Sequence, residues 1–530
     1  MAYVKTFITE GLDKSKPLFF DTETIGLYGR TRLVQVRQGD IAYEYDCYYI
    51  NIEDIKYFFK SWHLVIHNAH YDLSCLDFRR WLPFKLDDTL LMARCLYPDL
   101  ESFSLESLSR AFNLGAKSDE GSSDWSKYDL SPSQLEYATQ DTLLVEKLYD
   151  LMDKSVCDTS YYKLDIESLR FSCEYEHKGM PVDLKAIRKF KSQLNKSIQS
   201  IDLPESLNVN SSKQVRDYLN IDSSSKAHLM SLNSEESQKI LNKRKYLKAL
   251  SYIEDLSQHK CVYSILNPNG AKTGRFTSKS CDTMPGYYNL QQIPRDMKAV
   301  FGDSGGIFVS ADYPALEVWT CGAIIADEFL VSVLVNKEDL HYRAAEMMFN
   351  KSRDNISKFE RRVAKMCNFT LMYGAGYNAL AQAFISDGIP EIAPKAQRLR
   401  EDWLNTYKEI NKAQQKVFEY FKTHSYQVVR TALGKPLCAR TPTEALNFSI
   451  QGSGAECTKL ALYLLQKEKI VPVNTVHDSI ALIASTEKEA EEYKQALKWS
   501  MEESYRRVIK NCKANYLSLE VTVDVGDHYE

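Results

Sequence analysis

Four acidic residues in the first part of the chain have the types and spacing of a two-metal phosphodiesterase site. Asp21 and Glu23 stand two apart at the end of a short apolar stretch, where the strand period of two places both side chains on one face. Asp72 is the last residue of an Asn-x-x-x-Asp motif, and Asp141 is the last residue of a Tyr-x-x-x-Asp motif. Four carboxylates brought together repel one another unless cations bind between them. Two Mg²⁺ ions about 4 Å apart would relieve that repulsion, activate a water and steady the leaving oxygen of a phosphodiester.

Tyr137 lies four residues before Asp141 in a stretch with helical spacing, so both side chains fall on one helix face. From there the tyrosine hydroxyl would orient the attacking water by a hydrogen bond. A single Asp-x-Glu or Tyr-x-x-x-Asp motif is in most proteins a surface acid or a helix cap. The order of the motifs within one domain-sized stretch favours the catalytic interpretation.

Two further aspartates, far apart in sequence, form a second candidate metal site. Asp312 follows the predicted strand 307–311, and Asp478 stands at the tip of a hairpin predicted over 471–484. If these β elements are neighbours, the two carboxylates can share a pair of metal ions. Phosphoryl transfer needs in-line positioning and neutralised charge, and such ions provide both. Taken singly, each aspartate is more often a turn or cap residue.

Arg361, Lys365, Phe369 and Tyr373 recur every four residues and line one slowly turning helix face. The two cations suit phosphates, and Lys365 would also donate a proton to a leaving pyrophosphate. The two rings suit a sugar and a base. A basic, amphipathic core helix with its aromatic residues packed inward is the alternative, and the two distant aspartates count against it.

The elements that must position these residues change character along the chain. Residues 1 to about 155 alternate apolar strands with helical patterns, which predicts an α/β domain. The patterns after residue 160 are mostly helical, and a helix predicted over 161–178 ends at Gly179. The polar stretch 205–265 suits a projecting arm. The elements predicted in the first part are strands over 17–20, 32–37 and 63–67, helices over 73–81, 105–112 and 134–151, and a loop over 117–126.

Length and composition bound the class of protein. A chain of 530 residues is long enough for about three or four domains. No apolar run approaches the ~18 residues of a membrane span, and the N-terminus lacks the apolar core of a secretion signal. The twelve cysteines form no Cys-x-x-Cys pair. This disfavours zinc sites and disulfide frameworks and favours a reducing, intracellular compartment.

The net charge of −4 requires that any nucleic-acid contact come from local basic patches. One patch is the group Lys243, Arg244, Lys245 and Lys248, and another runs over 351–365. We predict Lys243 and Arg244 as DNA contacts. A solvated helix face is the ordinary interpretation of such a run.

In order, these motifs resemble those of family A DNA polymerases, the bacterial polymerase I type, with a proofreading exonuclease of the Asp-Glu-Asp-Asp class. The resemblance extends over nearly the whole chain. The exonuclease motifs are Asp21-x-Glu23, Asn68-x-x-x-Asp72 and Tyr137-x-x-x-Asp141. The polymerase motifs are Asp312-Tyr313-x-x-x-Glu317, Arg361-x-x-x-Lys365-x-x-x-Phe369-x-x-x-Tyr373-Gly374 and Val476-His477-Asp478, supported by Thr273-Gly274-Arg275, 289–294 and Asn447-x-x-x-Gln451-Gly452.

The resemblance implies a fold of two modules. The first is an α/β exonuclease domain over residues 1–155, RNase H-like, with a mixed sheet and helices. The second is an α+β right-hand polymerase domain over 156–530. Within it the resemblance implies a thumb at about 205–265, a palm at about 270–335 and 430–530, and fingers at about 336–429.

The resemblance also implies roles for individual residues. Asp312 and Asp478 would bind two Mg²⁺ ions, with Mn²⁺ as the alternative, and Asp21, Glu23, Asp72 and Asp141 would bind another pair beside the water-orienting Tyr137. Lys365 would act with the metal ligands in catalysis. The substrate-binding residues would be Arg361 at the triphosphate, Phe369 at the sugar, Tyr373 at the nascent pair, Glu317 against a ribose 2′-hydroxyl, His477 near the primer end, and Tyr313. The duplex contacts would be Arg275, Asn447 and Gln451.

The implied function is template-directed addition of dNTPs to a primer 3′ end, with 3′→5′ exonucleolytic proofreading. The partners would be primer–template DNA, dNTPs and a helicase, primase or processivity factor, with no membrane. With no segment before Asp21 for a 5′-nuclease and a short arm, the chain resembles compact phage replicative enzymes. We therefore expect phage genome replication in the cytoplasm of a bacterial cell, phage-infected cells included.

Three alternatives stay open at this point: an exonuclease with a synthesis-deficient, DNA-binding polymerase-like domain, a single-subunit RNA polymerase, and a non-catalytic DNA-binding scaffold. Several positions depart from the family pattern, which leaves rate, fidelity and metal preference open. The departing residues are Pro314, Ala315, Trp319, Thr370, Thr443 and Ser479.

Overall fold

The computed structural model describes residues 2–76, 83–116, 123–232, 234–281, 283–302 and 305–529. The strands of its first part are β1 (Ala2–Val4), β2 (Leu18–Ile25), β3 (Arg30–Gln38), β4 (Ile41–Asp46), β5 (His63–Ile66) and β6 (Lys85–Asp88). They form a six-stranded sheet in the order β1-β4-β3-β2-β5-β6. β3 is antiparallel to both of its neighbours, whereas the other pairs are parallel. The sheet is therefore mixed, as predicted.

Helices pack against this sheet, and they are α1 (Ile52–Phe59), α2 (Ala69–Cys75), α3 (Thr89–Leu96), α4 (Leu105–Ala111) and α5 (Pro132–Leu151). α5 begins with a capping box, in which Ser131 and Gln134 accept from each other's backbone N–H groups, and with Pro132 in its first turn. Its buried residues Leu144 and Leu148 join the core beneath β2 and β3. This packing fixes which end of β2 the helix approaches.

Most of the elements predicted in this part are confirmed, including the strands and the helices over 105–112 and 134–151. The helix predicted over 73–81 begins earlier, because Asn68 takes a left-handed conformation (φ 63°) that starts α2 at Ala69. Residues 77–81 of that prediction and 117–122 of the predicted loop lie outside the described residues. Strand β4 and helix α3 were not predicted, since the buried Glu44 interrupts the apolar pattern of β4 and α3 is short.

Helix α6 (Ser160–Lys178) joins the two parts of the chain and confirms the helix predicted over 161–178. Its side chains enter two different cores. Ile166 and Leu169 belong to the core of the mixed sheet. Phe171 and Tyr175 belong to the larger core of the second part. The helix ends at Gly179, where a φ of 71° favours glycine.

An arm of helices follows α6 and stands on a pair of short strands, β7 (Met180–Pro181) and β8 (Cys261–Val262). Its helices, which define the arm hereafter, are α7 (Leu184–Gln199), α8 (Ser212–Leu219), α9 (Lys226–Ser231) and α10 (Glu235–Leu256). α7 packs on α10. The far end of the arm has a small apolar core of its own, formed by Val209, Val215, Leu229 and Ile240.

The second part is built on an antiparallel sheet in the order β14-β15-β11-β16. Its strands are β11 (Ile307–Asp312), β14 (Asn474–Val476), β15 (Ser479–Ala484) and β16 (Val523–Gly526). Two smaller ribbons accompany it, β9 (Ile265–Asn267) with β10 (Thr277–Lys279), and β12 (Gln427–Arg430) with β13 (Pro436–Ala439). The hairpin predicted over 471–484 is confirmed by β14 and β15.

Helices pack around this sheet and beside it. They are α11 (Leu316–Ile325), α12 (Glu328–Val335), α13 (Leu340–Phe349), α14 (Lys358–Leu371), α15 (Tyr377–Ser386), α16 (Ala396–Thr406), α17 (Lys408–Tyr420), α18 (Pro442–Lys467) and α19 (Glu487–Val508). One continuous apolar core contains residues of the sheet and of these helices. Among the described residues, no helix combines the length and apolar character needed to cross a membrane.

Candidate active sites

The first site lies at the end of β2, where three acids converge. The burial pattern of the strand alternates, so the half-buried Asp21 and Glu23 share one face while Thr22 between them is buried. Asp141 reaches them from α5 and is itself 4% exposed. One carboxylate oxygen from each of the three acids lies within 4.8 Å of the others. Oxygen donors at this spacing suit a divalent cation.

Asp72 occupies a neighbouring position and is not part of that group of three. Its Oδ1 accepts a hydrogen bond of 2.7 Å from the Thr22 hydroxyl, the residue between the two strand acids. Burial raises the pKa of Asp72 to about 7, and the charge of Asp88 adds to that shift. The sequence predicts Asp72 as a metal ligand together with the other three acids. In the structure its hydrogen bond with Thr22 places it beside β2.

Asp88 has a structural role that the sequence did not reveal. Its carboxylate accepts from the backbone N–H groups of Asn68 (3.1 Å) and Ala69 (2.9 Å) at the start of α2. The same carboxylate caps α3 by accepting from Leu90 and Leu91. An aspartate directly before a helix is the signal that would have identified the cap. Asp88 therefore fixes the start of the helix that carries Asp72.

Tyr137 lies on α5 one turn before Asp141, as predicted. Its side chain is 6% exposed and packs in a small cluster with Trp125, whose ring centroid is 6.3 Å away. Packing against Trp125 therefore holds the ring of Tyr137 in place.

The second site is formed where β11 meets the hairpin of β14 and β15. Asp312 pairs with Ser479 in the register of the two strands, and the Tyr313 N–H donates to the Asp478 carbonyl at 3.4 Å. The two-residue turn places His477 at a φ of 55° and Asp478 beside it. The prediction that these β elements are neighbours is confirmed.

The two aspartates share one electrostatic environment. Partial burial and the charge of Asp478 raise the pKa of Asp312 to about 6. Burial also raises the pKa of Asp478, an effect opposed by the charges of Arg275 and His477. Two carboxylates that disfavour each other's ionisation are a site that a divalent cation would stabilise.

Ser479 and Tyr313 have structural contacts at this site. Ser479 Oγ donates to the Val476 carbonyl at 3.0 Å and closes the hairpin. The Tyr313 side chain is 2% exposed, and its hydroxyl donates to the Met501 carbonyl at 2.9 Å. Tyr313 therefore faces α19 and not the cleft. Its predicted role in substrate binding is wrong for the side chain, because the apolar core takes up its ring.

Glu317 on α11 connects a predicted duplex contact, Arg275, with a predicted substrate contact, Tyr373. Its Oε1 accepts from Arg275 Nη2 at 2.6 Å, and its Oε2 accepts a hydrogen bond from the Tyr373 hydroxyl. Burial and the Glu317 charge raise the pKa of Tyr373 far above its ordinary range. The loop of Arg275, helix α11 and the end of α14 therefore meet at one half-buried carboxylate.

Helix α14 carries the predicted series of basic and aromatic residues. It begins with a capping box between Ser357 and Glu360. The Arg361 guanidinium donates twice to Asp339 Oδ2, at 2.7 and 3.1 Å. Lys365 is exposed and Phe369 is 58% exposed. The alternative of a core helix with inward aromatic residues is wrong for Phe369.

His341 is a residue of this site that the sequence did not reveal. It lies on α13, and its ring centroid is 5.8 Å from that of Phe369. Burial, with the positive charges of Arg361 and Lys365, lowers the pKa of His341 to about 4. The imidazole is therefore neutral and sits among the cations. No local pattern indicates this, because α13 and α14 meet only through packing.

The predicted DNA contacts differ in where they lie. Asn447 and Gln451 occupy one face of α18, both half-exposed. Lys243 is half-exposed on α10. The Arg244 guanidinium, however, donates to the backbone carbonyls of Val209 and Ser224 within the arm. These donors hold the end of the arm together, and a contact between Arg244 and DNA stays a prediction.

Comparison with known proteins shows which families the two parts of the chain match. A model of the family described as 3′-5′ exonuclease matches residues 5–156. A model of the family described as DNA polymerase family A matches residues 183–530, well over half of the chain. The chain belongs to DNA polymerase family A. It is a DNA-directed DNA polymerase of the polymerase I type, with an exonuclease domain followed by a right-hand polymerase domain, and this decides against a single-subunit RNA polymerase.

Individual relatives agree. DNA polymerase I of Aquifex aeolicus is 28% identical, with 94% of each chain covered. The DNA polymerase of Mycobacterium phage L5 is 28% identical over 42% of this chain and 35% of its own. The solved POL domain of Pol1 from M. smegmatis, in complex with DNA primer-template and dNTP, matches with a TM-score of 0.76 and 20% identity, covering 96% of this chain and 95% of that one. At that identity the structural likeness shows the fold alone. Both families generally depend on divalent metal ions.

Proposed function

We propose that Asp312 and Asp478 hold two Mg²⁺ ions, or Mn²⁺ in their place, and that this pair of carboxylates is the site of synthesis. The adjacency of the two aspartates across β11 and the hairpin carries this proposal. The ions would neutralise the triphosphate and activate the primer 3′-hydroxyl. The donors fit them, because carboxylate oxygens are what Mg²⁺ prefers, and because burial and the charge of Asp478 raise the pKa of Asp312, a cost that a bound cation would offset.

The chain's own residues would hold the other parts of the substrate. Lys365, exposed on α14, reaches the triphosphate and donates a proton to the leaving pyrophosphate. Arg361 and the neutral His341 line the same side, with the Phe369 ring beneath the sugar. Glu317, fixed by Arg275 and Tyr373, occupies the place of a ribose 2′-hydroxyl. His477 lies near the primer end, at the tip of the turn.

For proofreading we infer that Asp21, Glu23 and Asp141 share one metal ion and that Asp72 helps to hold a second. The 4.8 Å grouping of the first three supports this. Tyr137, one turn before Asp141 on α5, would orient the attacking water. The product is a shortened primer whose correct end returns to synthesis.

We further propose the division of the chain that the motifs imply. The exonuclease spans 1–155 and the polymerase 156–530, with a thumb at about 205–265, a palm at about 270–335 and 430–530, and fingers at about 336–429. Arg275, Asn447, Gln451 and Lys243 would contact the duplex. The arm α7–α10 and the group α13–α17 support the assignments of thumb and fingers.

The partners we propose are primer–template DNA and dNTPs, which the solved mycobacterial relative binds. A helicase, primase or processivity factor would act with the enzyme. The phage relative supports a role in phage genome replication. We propose that the reaction takes place in the cytoplasm of a bacterial cell, phage-infected cells included, where template and dNTPs are available.

Primer extension tests this function on a 5′-labelled primer–template with Mg²⁺, with and without dNTPs. We expect extension with dNTPs and 3′ shortening without them. Asp312→Asn should lower extension by at least about 100-fold and leave shortening within twofold, because phosphoryl transfer depends on the metal-held charge. Asp21→Asn should do the reverse. Asp524→Asn, an exposed acid on the adjoining strand β16, is the matched control.

Shortening without extension in the wild-type enzyme would contradict the proposed synthesis. It would support the alternative of an exonuclease whose polymerase-like domain only binds DNA. Equal loss of both activities in Asp312→Asn would contradict the assignment of two separate sites.

A further inference from the structure

Helix α6 carries two buried acids on one face. Glu176 contacts residues on both sides of the junction between the domains, and Asp165 contacts two lysines of the polymerase domain. Asp165 is 2% exposed and Glu176 is 3% exposed. They are eleven residues apart, which is close to three full helical turns. A buried carboxylate is stable only when it is paired or hydrogen-bonded, so the partners of these two acids define what the helix holds.

Asp165 fixes the base of the loop that carries Arg275. It accepts from the Nζ of Lys435 and, at 2.7 Å, from the Nζ of Lys459. Both lysines also donate to the side-chain oxygen of Asn269, at 3.0 Å each. Arg94 of the exonuclease domain donates to the backbone carbonyl of the same asparagine at 2.5 Å. The loop after Asn269 therefore rests on a buried ionic cluster.

Glu176 holds residues of both domains directly. Its Oε1 accepts from His70 Nε2 at 2.7 Å and from the Leu266 backbone N–H at 2.9 Å, and its Oε2 accepts from the Ser74 hydroxyl at 2.7 Å. His70 and Ser74 lie on α2, two residues before and two residues after Asp72. Leu266 lies on β9 of the polymerase domain. Through these three hydrogen bonds the Glu176 carboxylate joins α2 of the exonuclease domain to β9 of the polymerase domain.

The β9–β10 ribbon extends this connection to the loop that carries Arg275. Leu266 pairs with Ser278 in the register of the ribbon. β10 begins at Thr277, two residues after Arg275. The loop between the two strands is therefore anchored at Leu266 by Glu176 and at Asn269 by the Asp165 cluster. Glu176 is therefore connected to α2 on one side and, through the ribbon, to the loop of Arg275 on the other.

We infer that Glu176 is a positioning residue shared by the two active sites. It aligns Asp72 for metal binding in the exonuclease and Arg275 for primer binding in the polymerase. Because coupling between two sites is reciprocal, metal binding at the nuclease and primer binding at the polymerase each favour the same arrangement of α6. This inference rests on the proposed function, since it takes Asp72 as a metal ligand and Arg275 as a primer contact.

The test uses the full-length enzyme with Glu176→Ala. The two readouts are the half-saturating Mg²⁺ concentration for shortening of single-stranded DNA, and the KM for primer–template during extension at saturating dNTPs. We expect both to rise by about fivefold or more, the lower range of coupling between linked sites. The kcat of extension should stay within about twofold, because Asp312 and Asp478 are untouched.

Two further variants separate positioning from simple loss of structure. Glu176→Gln should restore both readouts to near wild type, because its amide oxygen accepts from His70 and Leu266 while its N–H donates to Ser74. Glu167→Gln is the matched control, an acid on the same helix whose ion pair with Arg170 is at 3.8 Å near the surface. It should change neither readout.

A fall in both kcat values with unchanged Mg²⁺ dependence and unchanged KM would overturn the inference, as would a change in one readout alone. If Glu176→Ala does not fold, His70→Ala replaces it, and an unchanged primer–template KM in that variant overturns the inference equally. Asp72→Asn and Arg275→Ala are measured first. If they leave the Mg²⁺ dependence and the KM unchanged, the proposed function is what has failed.

Discussion

At the scale of single residues, the carboxylate of Glu317 has the most consequential position in the polymerase domain. It accepts hydrogen bonds from Arg275 and Tyr373, residues of two other parts of that domain. Both donors lose their acceptor together if the carboxylate is removed. The proposed sugar selection and primer contact therefore depend on the same side chain as the end of α14.

Glu317→Ala should admit ribonucleotides. Loss of a hydrogen-bonded acid that fills the 2′ position is worth about 1.5 to 3 kcal/mol, roughly 10- to 100-fold in the kcat/KM ratio of rNTP to dNTP. Single-nucleotide insertion with matched rNTP and dNTP measures that ratio, and Glu328→Ala on the exposed start of α12 is the control. An unchanged ratio would remove Glu317 from sugar selection.

The acids and the basic helix series were predictable because each lies in a short local motif with specific chemistry. Asp312, Asp478, Asp21, Glu23 and Asp141 all lie where strand and helix periods put them. The contacts that the sequence did not reveal have a common cause, which is packing between distant elements.

Packing explains each of these cases separately. Arg244 is basic in sequence, yet two backbone carbonyls of the arm capture its guanidinium. Tyr313 follows Asp312, a proposed metal ligand, yet its hydroxyl donates to a backbone carbonyl of α19. His341 belongs to the site only because α13 packs on α14. A sequence pattern cannot indicate contacts of this kind.

At the scale of elements, helix α18 is pinned to the β12–β13 hairpin by a buried acid. Glu456 accepts from the Thr431 hydroxyl and, at 3.2 Å, from the Leu433 backbone N–H. Burial raises its pKa to about 7. An acid whose pKa is higher in the folded state than in the unfolded state loses stabilising effect as the pH rises between the two values.

Glu456→Gln should therefore stabilise the enzyme more at high pH than at low pH. The ordinary glutamate pKa is near 4.5, so the cost of the wild-type acid grows from there to about pH 7 and is constant above it. Relative to wild type, we expect the variant to gain about 2 kcal/mol between pH 5.5 and pH 8. Urea unfolding followed by α-helical circular dichroism measures the difference. A pH-independent difference would contradict the pKa assignment.

At the scale of the whole molecule, the two catalytic domains share a structural helix. One stripe of α6 lies in the exonuclease core and another in the polymerase core. The sequence pattern predicted the helix, but not that its residues belong to two cores. Which core a residue of α6 enters depends on how the two domains are arranged. The two activities should therefore be linked in thermal stability although their sites are separate.

Leu169→Ala should lower the temperature of half-inactivation of both activities. Leu169 is 1% exposed on α6, and a leucine-to-alanine change in a core costs about 2 to 5 kcal/mol. Leu108→Ala is the matched control, a fully buried leucine of the exonuclease core on α4, which packs on α5. It should lower the exonuclease temperature and affect extension less. Equal effects of the two variants on extension would contradict the link through α6.

Strand β16 has a consequence for the order in which the molecule is made. Val523–Gly526 pairs with β11, the strand that ends at Asp312, and the ring of Tyr529 lies beside Phe308. On the ribosome, the nuclease residues emerge long before this strand. At about 5 to 20 residues per second, the roughly 370 residues between Val156 and Val523 take some tens of seconds to translate. β16 therefore joins β11 only after all residues of the exonuclease domain have been translated.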